Sequence, residues 1–199
     1  MIAIIDYAIN NLRSVEKAFQ SLGLEVLATD DPETIRKAEK VVLPGVGAFA
    51  DAMANLKARN LDGIINEKVK SGTPFLGLCL GLQLLFTESE EFGWHPGFNF
   101  IPGKVLRLPA GLKVPHIGWN QLHFRRSDPL LKDIEEGSFV YFVHSYYADP
   151  QCQDDVLATS DYGIEFPAIT NRGNVWATQF HPEKSQHIGL QILKNFAMM

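Results

Sequence analysis

Cysteine is scarce: the chain of 199 residues has two, Cys79 and Cys152. Two thiols cannot build a disulfide framework, and with no Cys-x-x-Cys pair a cysteine-based zinc site is not expected. No apolar run approaches the ~18 residues that span a bilayer. No basic segment opens the sequence; Met1–Ile5 meets Asp6 at once, and this stretch reads as a first strand rather than a signal peptide. Positive charge is short as well. The 18 Lys+Arg set against 23 Asp+Glu leave a net charge of −5, which argues against a nucleic-acid binder working through bulk positive charge. These absences predict no nucleic-acid partner, no membrane and a reducing cytoplasm, where a free thiol is kept available for chemistry.

What is present is ordinary globular material, 46% hydrophobic and 21% charged. The length suits one domain with a filled core, read here as residues 1–199 without linker, repeat or low-complexity segment. Short apolar runs at Ile2–Asp6, Glu25–Ala28, Lys40–Leu43 and Pro74–Leu78 predict strands. Between them lie helical spacings: Leu12, Val15, Phe19 and Leu22 behind capping Asn10 and Asn11, then Pro32–Ala38, Asp51–Ala58 and Leu61–Lys70. Another helix pattern starts at Leu80. Strands alternating with helices predict βαβ units, in a sheet covered on both faces. The second half reads as strands joined by turns, at Lys104–Leu108, Asn120–Arg125, Ser138–His144, Val156–Ser160, Phe166–Asn171 and Val175–Phe180, closed by a helix over Gln186–Phe196. The expected fold is α/β: a mostly parallel open sheet flanked by helices, with an antiparallel extension.

Three stretches carry chemistry. In Gly77-Leu78-Cys79-Leu80-Gly81-Leu82-Gln83, a strand ends and a helix begins around Cys79. This is a nucleophile elbow with cysteine as the nucleophile, and the flanking glycines relieve crowding at a tight turn. A helix N-terminus favours the thiolate, and the Leu80 N–H is left free to meet an oxyanion. The plainer alternative is a buried cysteine packing as a small hydrophobe. In Gln179-Phe180-His181-Pro182-Glu183-Lys184, His181 and Glu183 stand two apart at a strand end, so an extended backbone sends both side chains the same way. Glu183 then orients His181, and with Cys79 they form a Cys–His–Glu triad. His181 and Glu183 as metal ligands lack a third partner at ligand spacing. The Pro44-Gly45-Val46-Gly47-Ala48-Phe49 loop follows the third strand, at the sheet edge where open α/β folds bind ligands. It supplies a second oxyanion donor or is a plain turn; without a Gly-Lys-Ser/Thr ending it is not a phosphate loop.

With these residues in place the chain resembles the class I (triad-type) glutamine amidotransferases. Gly77-x-Cys79-x-Gly81-x-Gln83 matches the nucleophile motif of that family and His181-Pro182-Glu183 its His/Glu motif. The likeness spans nearly the whole chain. Pro115–Asn120 and Tyr141–Tyr147 narrow it to glutaminases that serve a cyclase of histidine biosynthesis, with Ile117 standing where methionine is expected. The resemblance implies that Cys79 attacks the side-chain amide of glutamine, His181 moves the proton and Glu183 orients His181. It implies an oxyanion site from the Leu80 N–H and the Val46-Gly47 loop, which in this family can reorient. Gln83, His144, Ser145 and Tyr146 match positions lining the glutamine pocket. The implied partner is a (β/α)8-barrel cyclase subunit that receives the ammonia and forms imidazole glycerol phosphate and an aminoimidazole carboxamide ribotide. Asn10, Trp119, Tyr141 and Lys184 match its interface, although a helix cap, two core aromatics and a solvated charge would read the same way. No cofactor and no metal are implied. Another amidotransferase of the class, or a stand-alone γ-glutamyl cysteine hydrolase, shares the triad. Cys152 sits in an acidic loop and is assigned no role, and His116 is left undecided.

Overall fold

The two periodicities of the first half become alternating strands and helices. In the computed structural model, which describes residues 1–8 and 10–199, these are β1 (Ile2–Ile5), α1 (Leu12–Ser21), β2 (Val26–Thr29), α2 (Pro32–Lys37), β3 (Lys40–Leu43), α3 (Phe49–Ala58), α4 (Leu61–Lys70) and β4 (Phe75–Leu78). Then come α5 (Leu80–Leu84), β5 (Phe86–Ser89), β6 (His95–Pro96), β7 (Ile101–Arg107), β8 (His116–Gln121), β9 (His123–Phe124), β10 (Phe139–His144) and β11 (Tyr146–Pro150). β12 (Val156–Asp161), β13 (Glu165–Arg172), β14 (Val175–Thr178) and α6 (Gln186–Ala197) complete the described elements.

The main sheet runs β2-β1-β3-β4-β14-β13-β12-β9. Its first five strands are parallel and the last three antiparallel. Every residue of β1 and β4 is buried, because helices cover both faces. Alternate residues therefore feed two separate cores. Ala3, Ile5, Val41, Leu43 and Phe75 pack with Ile35, Leu56 and Ile64 of α2, α3 and α4. Ile2, Ile4, Val42, Leu76 and Leu78 pack with Val15 and Phe19 of α1 and Ile192, Leu193 and Phe196 of α6.

The departures from expectation have local causes. The helix pattern from Leu80 stops after five residues, because the chain over 98–101 captures its last carbonyls: Phe98 N–H donates to Leu84 O at 2.8 Å and Phe100 N–H to Leu85 O at 2.8 Å. The stretch Asn120–Arg125 is not one strand. It breaks at buried Leu122, where the chain leaves β8, paired with β10, for β9, paired with β12. A four-stranded sheet, β11-β7-β5-β6, was legible only in its β7 member. α3 starts earlier than expected, at Phe49, whose N–H donates to the Glu91 carboxylate at 2.6 Å. That cap comes from a residue distant in sequence.

Candidate active site

Three neighbouring parallel strands bring the three motifs together. β3, β4 and β14 lie side by side, with Leu43 opposite Gly77 and Leu78 opposite Thr178. Their carboxyl ends therefore present the Pro44–Gly47 loop, Cys79 and His181 along one edge. Cys79 has φ 55 and ψ −109, a left-handed backbone that non-glycine residues adopt rarely. Its N–H donates to Thr178 O at 2.7 Å, which ties the elbow to β14. Glycine is needed at 81, because a Cβ there would run into the Leu43 carbonyl.

Cys79 is buried, and its thiol faces the Val143 carbonyl at 3.8 Å. His181 is buried beside it, and its Nδ1 lies 2.8 Å from Glu183 Oε1. Burial pushes the imidazole down, but Cys79 and Glu183 outweigh burial and raise its pKa to about 10. Burial would raise the Glu183 carboxyl; the bonds from His181 and Asn11 prevail and hold it below the usual carboxylate range. The route by which His181 meets Glu183 differs from expectation. The backbone is not extended: Pro182–Lys184 form a 3-10 turn, which folds the carboxylate back onto the ring. Ser185 pins this turn, accepting from Tyr141 N–H at 3.0 Å and donating to His181 O at 2.7 Å.

Two expectations at the elbow need correction. The Leu80 N–H is not free, since it donates to Gly45 O at 3.3 Å, where the Pro44–Gly47 loop folds over the elbow. The helix-dipole argument for the thiolate is weak as well. α5 has only five residues.

A cleft of about 320 Å³ opens on the triad. The predicted Val46, Gly47, Leu80, Gln83, His144, Ser145 and Tyr146 all line it together with Cys79 and His181. Gln83 donates through Nε2 to Tyr146 O at 3.0 Å and to Gln179 Oε1 at 3.2 Å. His144 forms wall rather than a free polar group. Its Nδ1 faces Tyr146 O at 2.9 Å and its Nε2 faces His116 Nδ1 at 3.0 Å, and burial drops its pKa to about 3. His116, undecided from sequence, is thus a buried buttress of His144, stacked on Tyr162. Lys184 also lines the cleft, at its exposed mouth.

Trp119 and Tyr141 face each other across β8 and β10, ring centroids 5.8 Å apart, and Trp119 is 46% exposed. The core-aromatic alternative for Trp119 therefore fails. Asn10 lies exposed in the turn before α1. Among the described residues neither asparagine caps that helix by its side chain: Asn11 stands at the cap position and instead donates from Nδ2 to Glu183 Oε1 at 2.5 Å. Sequence reasoning missed Asn11 and Glu91. Nothing local marks Asn11, but the Ser89-Glu90-Glu91 run was a signal for Glu91, an acidic side chain in the cleft wall.

The model of the family described as glutamine amidotransferase class-I matches residues 3–199. The chain belongs to the class I glutamine amidotransferase family. Among curated amidotransferase relatives, the imidazole glycerol phosphate synthase subunit HisH of Syntrophotalea carbinolica is 55% identical over 206 residues, covering 100% of both chains. The subunit of the same name from Geobacter metallireducens is 55% identical over 204 residues, covering 99% of this chain and 97% of that one. Solved structures share the amidotransferase fold at low identity. A crystal structure of a glutamine amidotransferase superposes with TM-score 0.77 at 18% identity, over 99% of this chain and 100% of that one. PurLQS from Thermotoga maritima gives TM-score 0.75 at 19% identity, over 99% and 97%.

Proposed function

We infer that this chain is the glutaminase subunit of an imidazole glycerol phosphate synthase, and that residues 1–199 act as one amidotransferase domain. The observation that carries the chemistry is the Cys79 elbow set beside a buried His181 held by Glu183. Full-length relatives at 55% identity favour this client over other amidotransferases of the class.

Cys79 attacks the side-chain amide carbon of glutamine, its proton passing to His181. His181 returns that proton to the amide nitrogen, the C–N bond breaks, and ammonia leaves a glutamyl thioester. His181 then takes a proton from water, hydroxide attacks the thioester, and glutamate departs as Cys79 regains its proton. Glu183 holds the imidazole in one orientation and favours its charged form. Val46, Gly47 and Leu80 are the oxyanion donors. Because Gly45 O accepts the Leu80 N–H, this hole forms only when the loop turns that carbonyl away. Gln83, Ser145 and Tyr146 shape the glutamine pocket, with His144 as its wall and the Glu91 carboxylate suited to the substrate ammonium.

The partner is a (β/α)8-barrel cyclase subunit, which receives the ammonia. Ile117, Trp119 and Phe139 project from one face of the β8–β10 ribbon and are exposed, which supports docking there. Tyr141 belongs to that face and Lys184 to the mouth of the cleft; Asn10, beside the Val46-Gly47 loop, is a further contact. A cytoplasmic setting suits a free catalytic thiol; among the described residues no helix is long and apolar enough to cross a membrane.

The test is glutamate release from glutamine by the purified chain, alone and with a purified barrel cyclase carrying its nucleotide. Low turnover alone and a large rise with the loaded partner are expected. Equal turnover in both would instead favour a stand-alone γ-glutamyl hydrolase.

A further inference from the structure

Gln179 sits just past β14, fully buried, one residue from Phe180 and two from His181, yet the mechanism above gives it no task. Its main chain is fixed, the N–H donating to Ala168 O at 2.9 Å. Its side chain hydrogen-bonds only Gln83 among the described residues. The orientation of that pair follows from one group that cannot change roles. Tyr146 O is a carbonyl and only accepts, so the atom of the Gln83 amide facing it at 3.0 Å is nitrogen. That nitrogen also lies 3.2 Å from the Gln179 side chain, which must therefore present oxygen. A consequence is visible on the far side of Gln179: its Nε2 is buried and has no acceptor among the described residues. A buried donor without an acceptor is destabilising and uncommon.

Both donors of Gln83 are thus taken, and its oxygen is left over. Gln83 Oε1 has no partner within the described chain and is not among the sealed, unpaired atoms, so it is reached from the cleft that Gln83 lines. We propose that Gln179 is a positioning residue for substrate recognition: its side-chain oxygen, together with Tyr146 O, locks the Gln83 amide with Oε1 turned into the cleft, where it accepts an N–H of the bound amino acid. Tyr146 O takes one hydrogen of that amide and Gln179 Oε1 the other; a flipped amide would present NH2 to the substrate N–H and repel it. The stranded Gln179 nitrogen is what this lock leaves behind. Strain kept beside a recognition site, at the expense of stability, is the pattern expected of a functional contact.

The inference rests on the glutaminase reading, and the experiment separates the two. The complex with the loaded cyclase is assayed with wild type, Gln179→Met, Gln83→Met and the double variant. Gln179→Met keeps the volume, removes the acceptor and removes the stranded donor. It is expected to raise the KM for glutamine at least tenfold, with a much smaller fall in kcat and a melting temperature at or above wild type. Alkylation of the Cys79 peptide by iodoacetamide, which has no amino-acid portion, should keep its wild-type rate. Because Gln179 acts through Gln83, the double variant should match Gln83→Met alone rather than multiply the two effects. An unchanged KM, multiplicative effects, or slowed alkylation with a lowered melting temperature would overturn the proposal. A wild-type complex that is alkylated at Cys79 yet releases no glutamate would overturn the glutaminase reading, and this inference with it.

Discussion

The side-chain amide of Asn11 donates to Glu183 Oε1 at 2.5 Å, joining the turn before α1 to the last motif of the chain. The same oxygen faces His181 Nδ1 at 2.8 Å, while Glu183 Oε2 is buried without a partner among the described residues. Asn11 is thus a support of the carboxylate from outside its own motif. Removing a hydrogen bond to a charged group costs about 1.5–3 kcal/mol. Asn11→Ala should therefore lower glutaminase kcat by about tenfold, with little change in KM, as read from steady-state glutamate release in the activated complex. A change in KM alone would mean that Asn11 does not act through the triad.

The charge state of the triad predicts a pH dependence with a definite sign. His181 is raised from 6.5 to about 10, so its contribution to stability is complete below 6.5 and fades as pH climbs toward 10. Glu183 is lowered from 4.5, so its contribution is complete above 4.5 and fades as pH falls. Both are complete together between 4.5 and 6.5. Glu183→Gln removes one of the two groups that raise His181. Its melting temperature should stop falling at a lower alkaline pH than that of wild type, because the folded value of His181 sets where the loss ends, and the alkaline limb of kcat should move down with it. Paired melting and rate profiles check this, and superimposable alkaline limbs would contradict it.

Cys79→Ala separates chemistry from architecture. Cys79 is small and buried at the end of β4, and alanine removes the sulfur alone. Synthesis driven by glutamine should be abolished in the complex, while synthesis driven by added ammonium salt should stay within about twofold of wild type. Loss of both activities would make Cys79 a structural residue. Without the sulfur, one of the groups that raise His181 is gone, so its titration should move down, as read by NMR of the ring.

The first four strands were legible because their local signals agreed with the tertiary outcome. Ile2–Ile5, Val41–Leu43 and Phe75–Leu78 are continuous apolar runs, and only a sheet covered on both faces buries them all. The catalytic candidates were legible because chemistry restricts residue type at a strand end. What escaped was set by contacts distant in sequence. The stop of α5 depends on Phe98 and Phe100, and the start of α3 on Glu91. The break at Leu122 depends on which of two sheets each side of it joins. Asn11 looked like a helix cap because asparagine before an amphipathic run ordinarily is one; a carboxylate 172 residues away outcompetes the backbone for its amide.

The exposed face of the β8–β10 ribbon yields the last prediction. Strand alternation puts Ile117 and Trp119 of β8 on the same side as Phe139 and Tyr141 of β10. Ile117, Trp119 and Phe139 are 59%, 46% and 54% exposed, whereas Val140 and Phe142 on the opposite side are fully buried. A groove of about 540 Å³ next to Trp119 runs along Phe139 to Ser185, bringing this surface up to the turn that carries His181. Exposed aromatics of this kind are frequent binding hot spots and contribute little to the stability of the free chain. Trp119→Ala should therefore leave the melting temperature of the isolated chain within about 2 °C of wild type, consistent with a surface change of at most ~0.5 kcal/mol. It should weaken binding of the barrel cyclase by about 2 kcal/mol, or roughly thirtyfold in Kd. Titration calorimetry against the purified cyclase measures the second quantity, and a thermal melt of the free chain the first. A destabilised chain with unchanged affinity would return Trp119 to a packing role and move the docking surface elsewhere.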